Sequence, residues 1–417
     1  MASDFTVDRN SPKWVLGADG YLKEYIADAP AIEFNPDGSY KGVLVEPESV
    51  NEALQSEDLD NATYWDYIRT TIATDTETDP KGGTNSFLLS ETAESGLHYF
   101  VTDSAYLTSI ASGETWTQSI FVKKGDGANA PDIVQLTYAG GSFGAQYANF
   151  DISVGGGTSG TVTASSGGTA GIRYYGNGWY RISWTATSTG AGDAWVALIL
   201  TNDNPTATRL PSYAGQTDAN VFIWGAQLEE SPIATSYIPT TTGAVTRVKD
   251  DIYLTSASSL IGQTEGTLFV EVDWQDSGTA YFIDISDNTA NNRIIIFNVA
   301  NELRMSARAN NVSLTNQGES STAYTGIQKI AFAYKTDDFE LYRNGSSISS
   351  DTSGSLAALG TLTDVDFGQT FSGGLQADMW IRAVALFTTR LSDAEAYSLT
   401  GYDTYAQMAN ALQYTIL

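Results

Sequence analysis

The sequence predicts an all-β protein made of two antiparallel β-sandwiches, with an extended N-terminal arm and a short C-terminal helix. Apolar residues fall in short runs that often alternate with polar ones, and clusters of Gly, Ser, Asn and Thr separate these runs. Helical spacing is confined to the end of the chain. At 417 residues the chain exceeds the roughly 250–300 residues at which one core stops growing, so more than one domain is expected.

Residues 1–62 are predicted to form the arm, because the segment is acidic and rich in turn signals. These signals are Gly17-Ala18-Asp19-Gly20 and Asn35-Pro36-Asp37-Gly38. Around the second turn, 31–34 and 42–47 are predicted as the strands of a small hairpin. A segment of this kind cannot bury a core alone, so we expect it to dock onto another protein.

Residues 63–240 are predicted to form the first sandwich, since strand-like runs recur between Gly-rich loops. The clearest runs are 86–89, 115–122, 134–137, 179–184 and 195–200. The Pro-preceded, Thr-rich stretch after Pro239 opens a linker over residues 241–261.

Residues 262–400 are predicted to form the second sandwich, and 401–417 a helical tail. The strands of this sandwich are predicted at 266–274, 281–285, 293–297, 329–334, 339–342 and 380–387. Ser392 followed by Glu395 is a capping box that predicts a short helix, and Tyr405, Met408 and Leu412 continue at helical spacing.

Charge and composition exclude several function classes. The formal net charge is −28, from 49 acidic and 21 basic residues, which disfavours nucleic acid and anionic membrane surfaces as partners. No apolar stretch is long enough to cross a bilayer, so no membrane insertion is expected. The chain has no Cys and the single histidine His98, which excludes thiol nucleophiles, disulfides and Cys/His zinc sites.

Several motifs resemble those of bacteriophage tail-fibre and appendage proteins. The segment 42–58 is similar to one common in these proteins, with Val50-Asn51 where the family has Thr-Asn. The motifs at 177–181, 223–229 and 235–240 resemble the closing motifs of a carbohydrate-binding-module-like jelly roll. Residues 262–400 are similar to a laminin-G-like, concanavalin A-type sandwich, with markers at 265–268, 341–345 and 391–395.

The resemblance implies a virion component, assembled in the host cytoplasm, that attaches to other virion proteins through residues 1–62. It also implies lectin-like domains that bind host-surface polysaccharide, and a homo-oligomer, with a trimer as the usual symmetry. An architectural or capsid-decorating protein without sugar binding is an alternative. A concanavalin A-type glycoside hydrolase is a second alternative.

The hydrolase alternative depends on Glu271 and Asp273, which alternate along a strand and so point to one face. Such enzymes resemble E-x-D-x-x-E, whereas this chain has Asp276 at the last position. The competing interpretation is that the carboxylates lie on the outer face of a strand whose Val272 and Trp274 face the core. We therefore expect a protein without catalytic residues.

Sugar binding requires exposed aromatic rings beside amide and carboxylate groups. Most Trp residues lie in apolar strand patterns and are assigned to the core. The candidate ligand-binding residues are therefore tyrosines of predicted loops and one neighbouring amide: Tyr138, Tyr174, Tyr175, Asn177 and Tyr213.

No cofactor is expected, and the sequence contains no metal-site motif. Asp-rich turns at 284–288 and 364–366 leave Ca²⁺ open as a structural ion, although neither has the spacing of an EF-hand loop.

Overall fold

The computed structural model describes residues 5–138, 142–153, 160–274, 278–319, 326–403 and 407. Up to residue 240 the strands are β1 (Thr6–Asp8), β2 (Lys13–Leu16), β3 (Leu22–Tyr25), β4 (Ile32–Phe34), β5 (Tyr40–Val45), β6 (Ser49–Asn51), β7 (Trp65–Ile68), β8 (Thr70–Asp75), β9 (Ser86–Glu91), β10 (Ser95–Gly96), β11 (Tyr99–Thr102), β12 (Thr108–Ile110), β13 (Thr115–Lys124), β14 (Ile133–Thr137), β15 (Tyr147–Asp151), β16 (Thr161–Ser166), β17 (Thr169–Gly176), β18 (Trp179–Thr187), β19 (Gly192–Ala194), β20 (Ala197–Leu200), β21 (Tyr213–Ala214) and β22 (Asn220–Glu229).

The remaining strands are β23 (Val245–Arg247), β24 (Asp251–Leu254), β25 (Glu265–Trp274), β26 (Ala280–Ser286), β27 (Arg293–Val299), β28 (Glu302–Ala309), β29 (Val312–Gly318), β30 (Gly326–Lys335), β31 (Asp338–Arg343), β32 (Ser346–Asp351), β33 (Asp364–Phe367) and β34 (Met379–Phe387). The helix α1 spans Asp393–Gly401, and short 3₁₀ turns lie at Ser104–Tyr106 and Leu356–Ala358. The described chain is therefore almost all β, and its strand pairs are antiparallel, which confirms the predicted fold class.

The middle sandwich consists of two six-stranded sheets. One has the order β16-β15-β14-β20-β11-β7 and the other β17-β18-β13-β22-β9-β8. Its core is apolar and aromatic, with Trp65, Phe100, Phe150 and Trp184 fully buried between the sheets. Alternation explains this packing, because every second side chain of a strand points to the same face.

The C-terminal sandwich consists of two seven-stranded sheets. Their orders are β1-β24-β33-β26-β27-β28-β29 and β32-β31-β30-β25-β34-β5-β4. On the second sheet α1 packs over Phe269 and Tyr342 through Leu399. The predicted capping box is present, since Ser392 accepts from the Glu395 backbone and Glu395 from the Ser392 backbone.

The structure corrects the prediction of a separate arm over residues 1–62. In the described part, from residue 5, β1 pairs with β24, and β5 pairs with both β4 and β34, so both sheets of the C-terminal sandwich contain N-terminal strands. The predicted linker 241–261 likewise contains β24, which is a sheet strand. These long-range pairings bury Val7 and Val45 in the C-terminal core, a contact that local patterns cannot reveal. Beyond residue 403, all of the predicted tail except residue 407 lies outside the described residues.

The hairpin β2–β3 lies between the two sandwiches. On one side Leu16 and Leu22 pack against Trp179 and Trp224, on the outer face of the middle sandwich. On the other side Val15 packs in a cluster with residues of the C-terminal sandwich, Leu44 and Trp380. The hairpin therefore fills the space between two sheet faces that would otherwise expose large aromatic side chains.

A cluster of buried charges fixes this arrangement. Asp250 accepts from Arg9 Nη1 at 2.7 Å and from Lys13 Nζ at 2.5 Å, and Lys13 Nζ also lies 2.8 Å from Glu46 Oε2. Arg247 lies 3.7 Å from Glu46. Burial opposes ionisation of Glu46, but the charges of Lys13 and Arg247 outweigh it and lower its pKa to about 2. The N-terminal segment and the connection between the sandwiches are thus held together by ion pairs shielded from solvent.

Candidate functional site

An open groove of about 710 Å³ lies where the tips of three β-hairpins converge. The tips belong to β2–β3, β4–β5 and β17–β18. The groove is lined by residues of these tips and of β17: Ala18, Asp19, Gly20, Asn35, Pro36, Asp37, Gly38, Ile172, Arg173, Tyr174, Gly176 and Asn177. Its volume is in the range of small-molecule sites in proteins, about 300–1,000 Å³.

The turn sequences explain why the tips have their shapes. Asn177 and Gly178 have φ of 54° and 84°, the left-handed conformation that a two-residue hairpin loop requires. Gly38 has φ of 80°, and a Cβ there would lie 2.9 Å from the backbone oxygen of Ala18. A glycine at position 38 therefore lets two of the tips touch, which closes one wall of the groove.

The walls present mostly hydrogen-bond acceptors. Asn177 Nδ2 donates to Gly20 O at 3.2 Å and Asn35 Nδ2 donates to Ser39 Oγ at 3.0 Å. Among the described residues, the side-chain Oδ1 atoms of both asparagines accept no hydrogen bond. Tyr174 is half-buried, and its hydroxyl accepts from Gly178 N at 3.2 Å, so its own proton remains available to a ligand.

Charged groups in the groove are either acidic or already paired. The hydrogen bond from Lys23 lowers the pKa of Asp19, and the one from Ser39 lowers the pKa of Asp37, so both carboxyls are ionised at neutral pH. The Lys23–Asp19 pair spans 2.6 Å. Arg173 pairs with the buried Glu33, which also accepts from Trp380 Nε1 at 2.6 Å. This pair joins β17 of the middle sandwich to β4 of the C-terminal sandwich.

The structure brings two of the five sequence-predicted residues into the groove, Tyr174 and Asn177. Tyr175 is 8% exposed, packs edge-on against Phe121 at 5.0 Å and points away from the groove, because it alternates with Tyr174 along β17. Its prediction as a ligand residue is therefore corrected.

Two further predicted residues lie elsewhere. Tyr138 is completely buried in the middle sandwich, stacked on Phe143 at 4.1 Å, so a ligand cannot reach it. Tyr213 donates to Glu91 at 2.5 Å and packs on His98, and it is not part of the groove. Tyr138 and Tyr213 both lie beside turns in the sequence. In the folded protein, packing buries Tyr138, and Tyr213 contacts Glu91 and His98.

Sequence reasoning missed Asp19, Asn35 and Asp37 as site residues. Both turns can be identified from their sequences, but the sequence predicts that they belong to a docking arm. The pairing of β5 with β34 positions the 35–38 turn, and the packing of the β2–β3 hairpin against Trp179 and Trp224 positions the 17–20 turn. No local pattern encodes that proximity.

The acidic pair considered for hydrolysis is placed on the outer face of β25, and Val272 and Trp274 lie in the core. Glu271 is 3% exposed, and its carboxylate accepts from Arg382 Nε at 2.7 Å. Glu271 is therefore a buried, ion-paired carboxylate. Asp276 lies outside the described residues.

In the first of the two turns considered for Ca²⁺, the carboxylates are engaged by neighbouring side chains. Asp284 pairs with Arg293, and Asp287 accepts from the Thr289 hydroxyl at 2.5 Å and from Asn292 at 2.7 Å. Across the described ranges, no group of three or more His, Asp or Glu side chains is arranged to hold a metal ion. The described helix is also too short to span a membrane.

No protein-family model and no curated protein matches the chain. Among solved structures it is similar to the carbohydrate-binding module CBM40 of the Ruminococcus gnavus IT-sialidase, with 15% identity, a TM-score of 0.30, and coverage of 35% of this chain and 88% of that one. It is also similar to the binding domain of botulinum neurotoxin serotype C1, with 13% identity, a TM-score of 0.32, and coverage of 38% and 42%. At such TM-scores these likenesses assign neither a fold family nor a ligand to this chain.

Proposed function

We propose that this protein binds a glycan in the groove formed by the three hairpin tips. The observation that carries the proposal is the composition of the groove, in which Tyr174 lies among amide and carboxylate acceptors of the hairpin turns. Sugar rings stack their C–H faces on aromatic rings, and their hydroxyls donate to such acceptors. An open groove suits an oligosaccharide chain better than it suits a single sugar that must be enclosed.

The charges of the groove favour an uncharged glycan. Asp37 has no cationic partner in the described chain and repels anionic sugars, whereas Asp19 is paired with Lys23 and Arg173 with Glu33. Lys123, which donates to Asn177 O at the groove rim, is occupied by Glu77 at 2.7 Å. Neutral hydroxyl-rich sugars avoid this repulsion.

The second part of the proposal is that the protein is a non-enzymatic adhesin of a bacteriophage virion, acting as a homotrimer. The motifs that resemble tail-fibre and appendage proteins support the virion role, and the ion-paired state of Glu271 supports binding without hydrolysis. Multivalent display in a trimer would strengthen weak single-site binding. Immunoelectron microscopy of purified virions tests the location, and sedimentation equilibrium tests the trimer.

The binding proposal is tested with the full chain on an array of neutral and anionic glycans, followed by titration calorimetry of the best ligand. Loss of the aromatic face in Tyr174→Ala should weaken binding at least tenfold, equivalent to about 1.4 kcal/mol. The matched control is Tyr147→Ala, which removes a half-buried tyrosine outside the groove and should leave affinity unchanged. Binding that is equal in both variants, or that selects anionic glycans, contradicts the proposal.

A further inference from the structure

A second, much smaller cavity lies between the two sandwiches, beneath the β2–β3 hairpin. Its volume is about 50 Å³, which holds one or two particles of the size of water, each occupying about 30 Å³ in the liquid. Its walls include Trp14 of β2, Arg181 of β18 and Ser236, which follows β22. It shares Arg173 with the groove, but its other lining residues are not part of the proposed glycan site.

Arg181 is a buried cation without an anionic partner. It is 5% exposed, and its guanidinium donates from Nη1 to Thr235 O at 2.5 Å and from Nη2 to Ser119 Oγ at 2.9 Å, both neutral acceptors. Within the described residues no carboxylate oxygen lies within 4 Å of it, and its Nε has no hydrogen-bond partner. A buried charge of this kind is costly unless a counter-ion compensates it.

Two other donors line the same cavity without a partner in the described chain. Ser236 is 7% exposed and its hydroxyl makes no hydrogen bond, and the indole Nε1 of Trp14 is buried and also makes none. An indole N–H and a guanidinium N–H can only donate, and a hydroxyl can donate as well. Three donors around a space of this size match the needs of a small anion.

The carboxylates at the cavity walls are mostly neutralised by other cations. Glu46 Oε2 lies 2.8 Å from Lys13 Nζ but accepts no hydrogen bond, and Glu33 is paired with Arg173. Asp378 is half-buried at the wall and engages other groups. Of the two arginines that line the cavity, Arg173 is paired with a carboxylate and Arg181 is not.

We propose that this cavity is a binding site for a monatomic halide, chloride under physiological conditions, held by Arg181 Nε, Ser236 Oγ and Trp14 Nε1. The anion completes the charge balance of the interface and links β2 to β18 and to the segment after β22. Its binding stabilises the junction of the two sandwiches, because a ligand that binds only the folded state raises stability by mass action.

The test measures the melting temperature of the full chain in sodium chloride or bromide against sodium gluconate at equal ionic strength, together with bromide anomalous diffraction from crystals. The expected result is a saturable, halide-specific rise in melting temperature and a bromide peak beside Arg181. Ser236→Ala removes a hydroxyl that makes no bond in the described chain, so it should fold and should weaken halide binding about tenfold.

The control is Thr92→Val, which removes another buried hydroxyl that has no partner but lies outside the cavity. This variant should keep the full halide response. Equal melting temperatures in chloride and gluconate, water rather than bromide in the cavity, or an equal loss of response in the two variants would each overturn the proposal.

Discussion

Replacing Asp250 with Asn should strongly destabilise the protein, because Asp250 is the centre of the buried charge cluster. Its carboxylate accepts from Arg9 at 2.7 Å, from Lys13 at 2.5 Å and from the Glu46 backbone at 2.9 Å, and it is 1% exposed. A hydrogen bond to a charged group contributes about 1.5–3 kcal/mol. Asn keeps an acceptor oxygen but removes the charge, which leaves the buried Arg9 without a carboxylate partner and leaves Lys13 and Arg247 to share Glu46.

The expected loss in free energy of unfolding is about 3–5 kcal/mol, the range found when one partner of a buried ion pair is removed. Urea denaturation followed by tryptophan fluorescence measures this loss. Limited proteolysis gives a second readout, because release of β1–β3 should increase cleavage near the exposed Ile26. The β2–β3 hairpin would leave its place between the sandwiches.

The matched control is Asp19→Asn, which removes one partner of a single 2.6 Å ion pair with Lys23 on the surface. Exposed pairs contribute about 0–1 kcal/mol, so this variant should be nearly as stable as the parent. If the free energy of unfolding of Asp250→Asn fell by less than about 1 kcal/mol, or by no more than that of the control, the buried charge cluster would not be what holds the N-terminal segment in place.

Two further predictions concern the pH dependence of stability and the shape of the groove. Burial and the charges of Asp284 and Asp251 raise the pKa of Asp366 to about 7, so the folded state holds a proton that the unfolded state releases near pH 4. Proton binding at Asp366 contributes stability to the folded state that is fully present below about pH 4 and is lost as pH rises towards 7. Thermal unfolding should therefore show that Asp366→Asn is more stable than the parent at pH 8 but not at pH 4. An equal gain in stability at both pH values would contradict this prediction. Gly38 has φ of 80°, and a Cβ there would lie 2.9 Å from Ala18 O. Gly38→Ala should therefore lower the free energy of unfolding by about 1 kcal/mol or more and weaken glycan affinity. Unchanged affinity in calorimetry would show that the two hairpin tips need not touch.

The sequence determined the fold class and most of the strands, because alternation and turn residues are local signals. The runs at 115–122 and 179–184 became β13 and β18, and the capping box at Ser392 began α1 where its spacing predicted. Of the five residues that the sequence predicted to bind a sugar, Tyr174 and Asn177 line the groove.

Only the tertiary structure decided where the site is and what the N-terminal segment does. The groove joins turns near residues 19 and 37 to a strand edge near residue 174, and the charge cluster joins Arg9 to Asp250. Periodicity reports the face on which a side chain lies, but it carries no information about which distant strand will be the neighbour. That choice depends on burying Val7 and Val45 in a core built mostly from residues beyond 250, and on satisfying the buried charges at the same time.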